Sequence, residues 1–444
     1  MTTYARRLGL FSGTMAVVGG IVGGGIFRTP AAVAERVGSS GLILGMWVAG
    51  GAVALAGALC FGELGHRRPR AGGGYVYLRE TWGPLAAFLY GWALLLVIAS
   101  GAIAAIAVTF ADYTLALTGL PRRLGLPLAI AAIVLVSGIN YLGVRPGAVV
   151  QNVFTVLKLL ALAALIGVGL LAGLPPSEPA RTAAPSAAPS AAPMALGAAL
   201  VPVLFTYGGW QQTNFIAEEM LNPERDLPRA LLLGVAIVVA TYLLANLAYL
   251  QVLGPGGLAA STAPAADAMR AVLGPPGSVL ISAGIAVSTF GFLNLVVLVT
   301  PRVFQAMAAD GVFFPRLARL HPVHRTPAAA IALQAAWAST LALTGSFSQL
   351  VDYVAFADWV FFGLTVAGLF VYRARERAEG RHAPPGAFRV PGYPWTPAAF
   401  VAAAIFVVVS SVVAAPRNAM VGMGLLALGV PVFWYWSRAG RRPI

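Results

Sequence analysis

Lysine is nearly absent from this chain: Lys158 is the only one in 444 residues, and 28 arginines carry the remaining fixed positive charge. Charge of either sign is scarce, at 10% of residues, where soluble domains hold about 25%. That scarcity excludes a water-soluble globular fold. Cysteine is reduced to Cys60, so no internal disulfide framework can form. The four histidines, His66, His321, His324 and His382, fall between apolar runs without metal-ligand spacing. There is also no His–Asp set and no pair of acids placed for surface chemistry. An integral membrane enzyme is therefore not expected, and neither is a metal or an organic cofactor.

What the chain has instead is apolar length. Hydrophobic residues make up 59% of it, in runs that each suffice to cross roughly 30 Å of hydrocarbon. The predicted class is an all-α polytopic membrane protein in contact with the lipid bilayer. A β-barrel is excluded because the segments are too long and do not alternate. Twelve spans are predicted, near 10–34, 41–64, 83–117, 126–143, 148–173, 195–220, 229–254, 276–309, 327–345, 350–372, 395–414 and 418–437. The net charge of +14 sits in short loops rather than a soluble domain, so no nucleic-acid partner is expected. With the N-terminus inside, and Arg229 and Arg302 at the inner ends of their spans counted with the inner segments, these hold 21 arginines and the outer ones 6, leaving Arg28 and Lys158 within spans. The expectation is a multi-pass protein of the cell inner membrane with both termini cytoplasmic. Arg6 and Arg7 precede an apolar run as in a signal peptide, but the run outlasts any cleavage site, so the first span is expected to be retained. Residues 174–194 read as an Ala/Pro/Ser linker.

Two spans carry glycine clusters at mid-depth. The first reads "GTMAVVGGIVGGGIFRTP", with Gly23, Gly24 and Gly25 roughly 20 Å from its start. The sixth reads "VPVLFTYGGWQQTNFIAEE", with Gly208 and Gly209 at similar depth from the other side. One cluster alone would suit close helix packing, because Gly19 with Gly23 and Gly20 with Gly24 make GxxxG spacings. Two clusters five spans apart point to discontinuous helices that meet near the bilayer midplane. An unwound backbone at that depth is tolerable only around a cavity or ligand. The amides near Gly24, Gly25 and Ile26 would receive a carboxylate. The carbonyls near Val22, Phe205, Thr206 and Tyr207 would receive an ammonium. A ligand bearing both groups is, most simply, an α-amino acid.

The residues around these clusters resemble the amino acid–polyamine–organocation superfamily, and within it the L-type amino acid transporter group. The resemblance rests on "GGGIF", "GALCFGELGHRRPRAGGGYVYL", "LFTYGGWQQTNFIAEEMLNPERDLPRA", "VSTFGFLN", "PRVFQAMAADGVFFPRL" and "FADWVFFGLTVAGLFVYR", and runs collinearly over about residues 8–375. It implies a LeuT-like fold of two inverted five-helix repeats, about 10–173 and 195–372, in a transport core spanning 1–373. A cytoplasmic loop, two additional helices and a tail would follow over 374–444. It further implies alternating access, with Phe205 as an outer gate and Gln211 reaching toward the substrate from a position often held by asparagine. The loop "TGLPRRLG" lacks the cysteine that bonds a glycoprotein heavy chain in animal members, so a stand-alone transporter is implied. "AADG" replaces the common "AREG", which removes a charged pair near the inner gate. Asp358 stands where a neutral polar residue is usual, leaving a proton or cation site open.

With its helix starting near Val149, Lys158 would lie roughly 15 Å deep. A charge there costs about 2.5–3.5 kcal/mol even on lenient insertion scales, so it must face a cavity or a polar partner. Helix 1 carbonyls around Gly20–Gly23 and the hydroxyls of Ser288 and Thr289 are suitable acceptors. The resemblance implies that this ammonium replaces the sodium ion of sodium-coupled relatives. A fixed tether, a tether that also carries protons, and no transport role all remain open. Glu218 and Glu219, beside Asn222, Arg225 and Asp226, read as an inner gate and helix-end electrostatics. The expected activity is sodium-independent exchange of small neutral or hydrophobic amino acids. Proton-coupled symport, a cationic amino acid or polyamine carrier, and a non-transporting sensor are the alternatives.

Overall fold

The computed structural model describes residues 3–172, 193–345, 347–380, 384 and 386–439. The expected linker 174–194 lies, but for its last two residues, outside the described residues, as does His382. Seventeen helices follow in chain order among the described residues: α1 (Leu10–Ile21), α2 (Thr29–Val37), α3 (Ser40–Arg67), α4 (Gly74–Trp82), α5 (Pro84–Ala93), α6 (Ala99–Thr118), α7 (Gly125–Tyr141), α8 (Val144–Leu171) and α9 (Pro193–Thr206) in the first part; then α10 (Pro223–Ala260), α11 (Pro264–Leu273), α12 (Pro275–Val299), α13 (Pro301–Ala309), α14 (Ala328–Thr344), α15 (Phe347–Ala378), α16 (Trp395–Ala414) and α17 (Pro416–Ala439). Nine helical stretches among the described residues are long and apolar enough to cross a membrane, and α1 and α14 are shorter apolar helices.

Both glycine-rich spans are interrupted. The first stops at Ile21, with the Val22 amide making the last helical bond to the Val18 carbonyl, leaves the helix over Val22–Gly24, makes a single 3-10 turn over Gly25–Phe27 and resumes as α2. The sixth stops at Thr206 and continues as a 3-10 stretch, Trp210–Glu219, after Gly209 takes φ +107°. Only glycine adopts that φ without strain. The two breaks touch: a side chain on Gly20 would meet the Gly209 carbonyl at 2.8 Å, and one on Gly25 would meet Thr206 at the same distance. Close approach of two backbones is what the glycines supply here, and the unwinding is what lets them approach.

Two details depart from expectation. α8 begins at Val144 rather than near Val149, so Lys158 lies roughly 21 Å from its start, at the middle of the helix. The third span is not a uniform helix: Leu94–Ile98 is wound as a π-helix between α5 and α6. Such bulges free backbone groups, and the indole of Trp337 donates to the Leu96 carbonyl at 2.9 Å.

The first and last described segments lie at one end of the bundle. Tyr4 caps Arg302, and the amides of Arg7 and Leu8 donate to the Glu219 carbonyl. Trp436, near the end of α17, packs on Phe313 and Phe314, which follow α13.

Candidate functional site

Around the two breaks lies a cavity of about 540 Å³, lined by Gly20, Ile21, Gly23, Gly24 and Gly25 from the first break and by Phe205, Thr206, Gly208, Gly209 and Gln211 from the second. α5 and the π-helical stretch contribute Tyr90, Leu94 and Ile98, α12 contributes Phe292 and Val296, and α15 contributes Asp358, Trp359 and Phe362. Phe205 is 38% exposed, whereas Phe215 and Val296 at the other end of the cavity are each 1% exposed. The cavity therefore opens away from the chain termini and is sealed toward them.

The amides of Gly24, Gly25 and Ile26 donate no hydrogen bond among the described residues, and Gly24 and Gly25 line the cavity. These are free donors facing a polar ligand space. The acceptor side of the first break is already used. Lys158, fully buried, donates from Nζ to the Val22 carbonyl at 2.8 Å and to that of Gly19 at 3.2 Å. Ser288 Oγ reaches the same Val22 carbonyl at 3.3 Å. Two of the expected partners differ. Gly19 rather than Gly20 accepts from the ammonium, because Gly20 is packed on Gly209. Thr289 returns its hydroxyl to the Ile285 and Ala286 carbonyls of its own helix. Val22, Ile26 and Tyr207 lie behind the cavity wall: Tyr207 donates to the Trp47 carbonyl, and Tyr242 and Tyr249 donate to the carbonyls of Ile21 and Ile26.

Gln211 lines the cavity, but its side-chain oxygen accepts the Gly209 amide at 3.0 Å and so splints the second break. Its neighbour Gln212 also lines the cavity, and its buried Oε1 has no partner among the described residues. Nothing in the spacing had separated these two glutamines. Thr29 was also missed; its hydroxyl meets that of Thr206 at 2.8 Å across the two breaks. Asp358 is the one charged residue in the lining. Arg28 is exposed and lines a separate surface groove with Glu35 and Ser261. Among the described residues no group of acids, histidines or cysteine could hold a metal ion.

The sealed end is closed by charge. Arg302, counted with the inner segments in the sequence, is fully buried and pairs with Glu219 at 2.7 Å. Glu218 accepts the Ala71 amide at 3.1 Å. The "AADG" segment does not forfeit its charged pair: Asp310 binds Arg79 and accepts from Tyr75 Oη at 2.8 Å. Burial and the adjacent Asp310 carboxylate hold the Tyr75 phenol well above its usual range, so it stays a donor.

A model of the family described as Amino acid permease matches residues 8–435. The b(0,+)-type amino acid transporter 1 of Homo sapiens is 36% identical over 379 residues, covering 84% of this chain and 77% of its own. The Serine/threonine exchanger SteT of Bacillus subtilis (strain 168) is 33% identical over 432 residues, 97% of this chain and 96% of its own. The Large neutral amino acids transporter small subunit 2 of Homo sapiens is 33% identical over 442 residues, 97% and 81% respectively. These relatives are transporters and exchangers rather than enzymes. With its membrane-length helices and a match over nearly its whole length, this chain is a multi-pass membrane protein that belongs to the amino acid permease family, within the amino acid–polyamine–organocation superfamily.

Proposed function

We propose that the chain exchanges amino acids across the cell inner membrane by alternating access, without sodium, and that both termini are cytoplasmic. The observation that carries this is the pair of touching helix breaks around one cavity, with free amides at Gly24 and Gly25 on its wall. In this reading those amides, with Ile26 behind them, receive the α-carboxylate at the positive end of the resumed helix. The carbonyls at Phe205 and Thr206 receive the α-ammonium, and Phe205 closes over the bound molecule. Sodium independence rests on Lys158, whose ammonium takes the Gly19 and Val22 carbonyls that a monovalent cation would otherwise coordinate.

The remaining architecture belongs to the same proposal: twelve spans, with two inverted five-helix repeats over about 10–173 and 195–372 followed by two further helices. The chain acts without a disulfide-linked heavy chain, since "TGLPRRLG" offers no cysteine. The mostly apolar cavity favours alanine, serine and leucine. A second reading, in which cationic amino acids are also carried, is favoured by Asp358 alone, because a carboxylate in a confined cavity attracts a side-chain cation.

Purified protein in proteoliposomes tests this. Labelled alanine, serine or leucine should enter vesicles preloaded with unlabelled amino acid, equally in sodium and in choline buffer, and should scarcely enter empty ones. Equal uptake into empty vesicles under an inward proton gradient would replace exchange by symport. Absence of uptake of any amino acid would overturn the assignment of the cavity.

A further inference from the structure

At the sealed end, two helices and a connecting segment converge on one carboxylate. Glu63, in the last turns of α3, is fully buried and accepts five hydrogen bonds. Arg67 supplies two, at 2.9 and 2.6 Å, and Arg373 of α15 supplies two, at 3.0 and 2.5 Å. The fifth comes from the backbone amide of Val390, at 2.7 Å, in the segment joining α15 to α16. In that segment Tyr393 lies 3.9 Å from the Arg373 guanidinium, and Arg389 pairs with Glu376, which Arg67 also binds. α3 packs chiefly on α10 and α15 chiefly on α16, and the carboxylate sits where α3 meets α15 and α16. Gly65, two residues beyond Glu63, abuts Asn214, whose neighbour Phe215 lines the cavity floor.

We propose that residues 386–394 form a latch on the cavity floor, with Glu63 as its catch, and that the latch undocks whenever the cavity opens toward the chain termini. The inference rests on the alternating-access reading above. A loop amide and a stacked tyrosine can leave without unfolding either helix, which distinguishes this fastening from a helix–helix rivet. Arg67 stays on α3 with Glu63, four residues away, so the carboxylate keeps a cation when the segment departs. The docked state is held because releasing one partner of a buried, saturated carboxylate strands the others.

The test is accessibility rather than transport, so it does not depend on substrate identity. In a Cys60→Ala background, Thr300→Cys places a reporter in the floor, buried in the closed state. Membrane vesicles exposing only the termini-bearing face are treated with an impermeant maleimide, with Arg6→Cys as orientation control. Val390→Pro, which removes the amide donor, and Tyr393→Ala, which removes the ring over the Arg373 guanidinium, should each raise the Thr300→Cys labelling rate about ten-fold. Glu63→Gln should do the same, and Arg6→Cys labelling should not change. Unchanged reporter labelling in well-folded Val390→Pro and Tyr393→Ala protein, judged by a sharp thermal transition, would overturn the latch. Equal gains at both cysteines would also overturn it, by reporting general loosening.

Discussion

The two helix breaks face the same cavity but are held in different ways. The first, at Val22–Gly24, is held by charge: its open carbonyl end is capped by the ammonium of Lys158 from α8, with Ser288 alongside. The second, at Tyr207–Gly209, is held by shape: a positive φ at Gly209, the contact with Gly20, and a local splint from Gln211. A break held by a remote charge can be strengthened or weakened from another helix. One held by backbone geometry is fixed. The first break is thus the adjustable half of the site, and the second is the anvil against which it works.

The sharpest way to break that contrast is Gly209→Ala. It imposes an unfavourable φ and drives a methyl into the Gly20 carbonyl, so both breaks lose their contact at once. Exchange should fall roughly 1000-fold or more, since nothing at either backbone can yield. Lys158→Ala comes next. It leaves the buried Gly19 carbonyl without a donor, at about 1–3 kcal/mol, and the Val22 carbonyl with only the Ser288 hydroxyl, for a combined loss of roughly 100-fold. The sodium dependence of the remnant sharpens the comparison. If the ammonium stands in for a cation, residual exchange should rise with sodium in Lys158→Ala and not in Gly209→Ala. Asp358→Asn acts on the ligand rather than on either break. Uptake of arginine relative to alanine should fall about ten-fold, while alanine exchange stays within about two-fold. An unchanged ratio would remove the case for cationic substrates.

Both breaks were legible in the sequence because glycine is one of the few residues whose chemistry announces backbone conformation directly. Gly24, Gly25 and Gly209 needed no tertiary information to be singled out. Lys158 was legible for a different reason: a charge in an apolar helix has few places to go. Its actual acceptors were less so. Gly19 and Gly20 are adjacent and identical in type, and only the packing of Gly20 against Gly209 decides between them. The π-helical turn at Leu94–Ile98 leaves no trace in "LLLVI", and the indole that bonds its Leu96 carbonyl, Trp337, is remote in sequence. Arg302, at the inner end of its span, reads as an inner-side arginine, because its partner Glu219 is far away in sequence and close only in the fold. Local conformation could be read residue by residue, and pairing across the bundle could not.

The smallest effect isolates the splint. Gln211 is buried, and its side-chain oxygen takes the Gly209 amide, so Gln211→Ala deletes one neutral hydrogen bond and leaves the glycine geometry intact. Such a bond contributes about 1 kcal/mol net, so exchange should fall about five-fold. Two roles for Gln211 then predict different patterns. As a splint it affects every substrate alike, and alanine, serine and leucine should all lose the same factor. As a side-chain contact it would cost serine, which can hydrogen-bond to an amide, more than leucine, which cannot. Gln212 supplies the control, because its unpartnered Oε1 lines the same cavity without bracing any backbone. Uniform loss in Gln211→Ala, with substrate-selective loss in Gln212→Ala, would assign rigidity to the first glutamine and recognition to the second. The reverse pattern would show that the second break is as adjustable as the first, and the distinction between a charge-held and a shape-held break would fall.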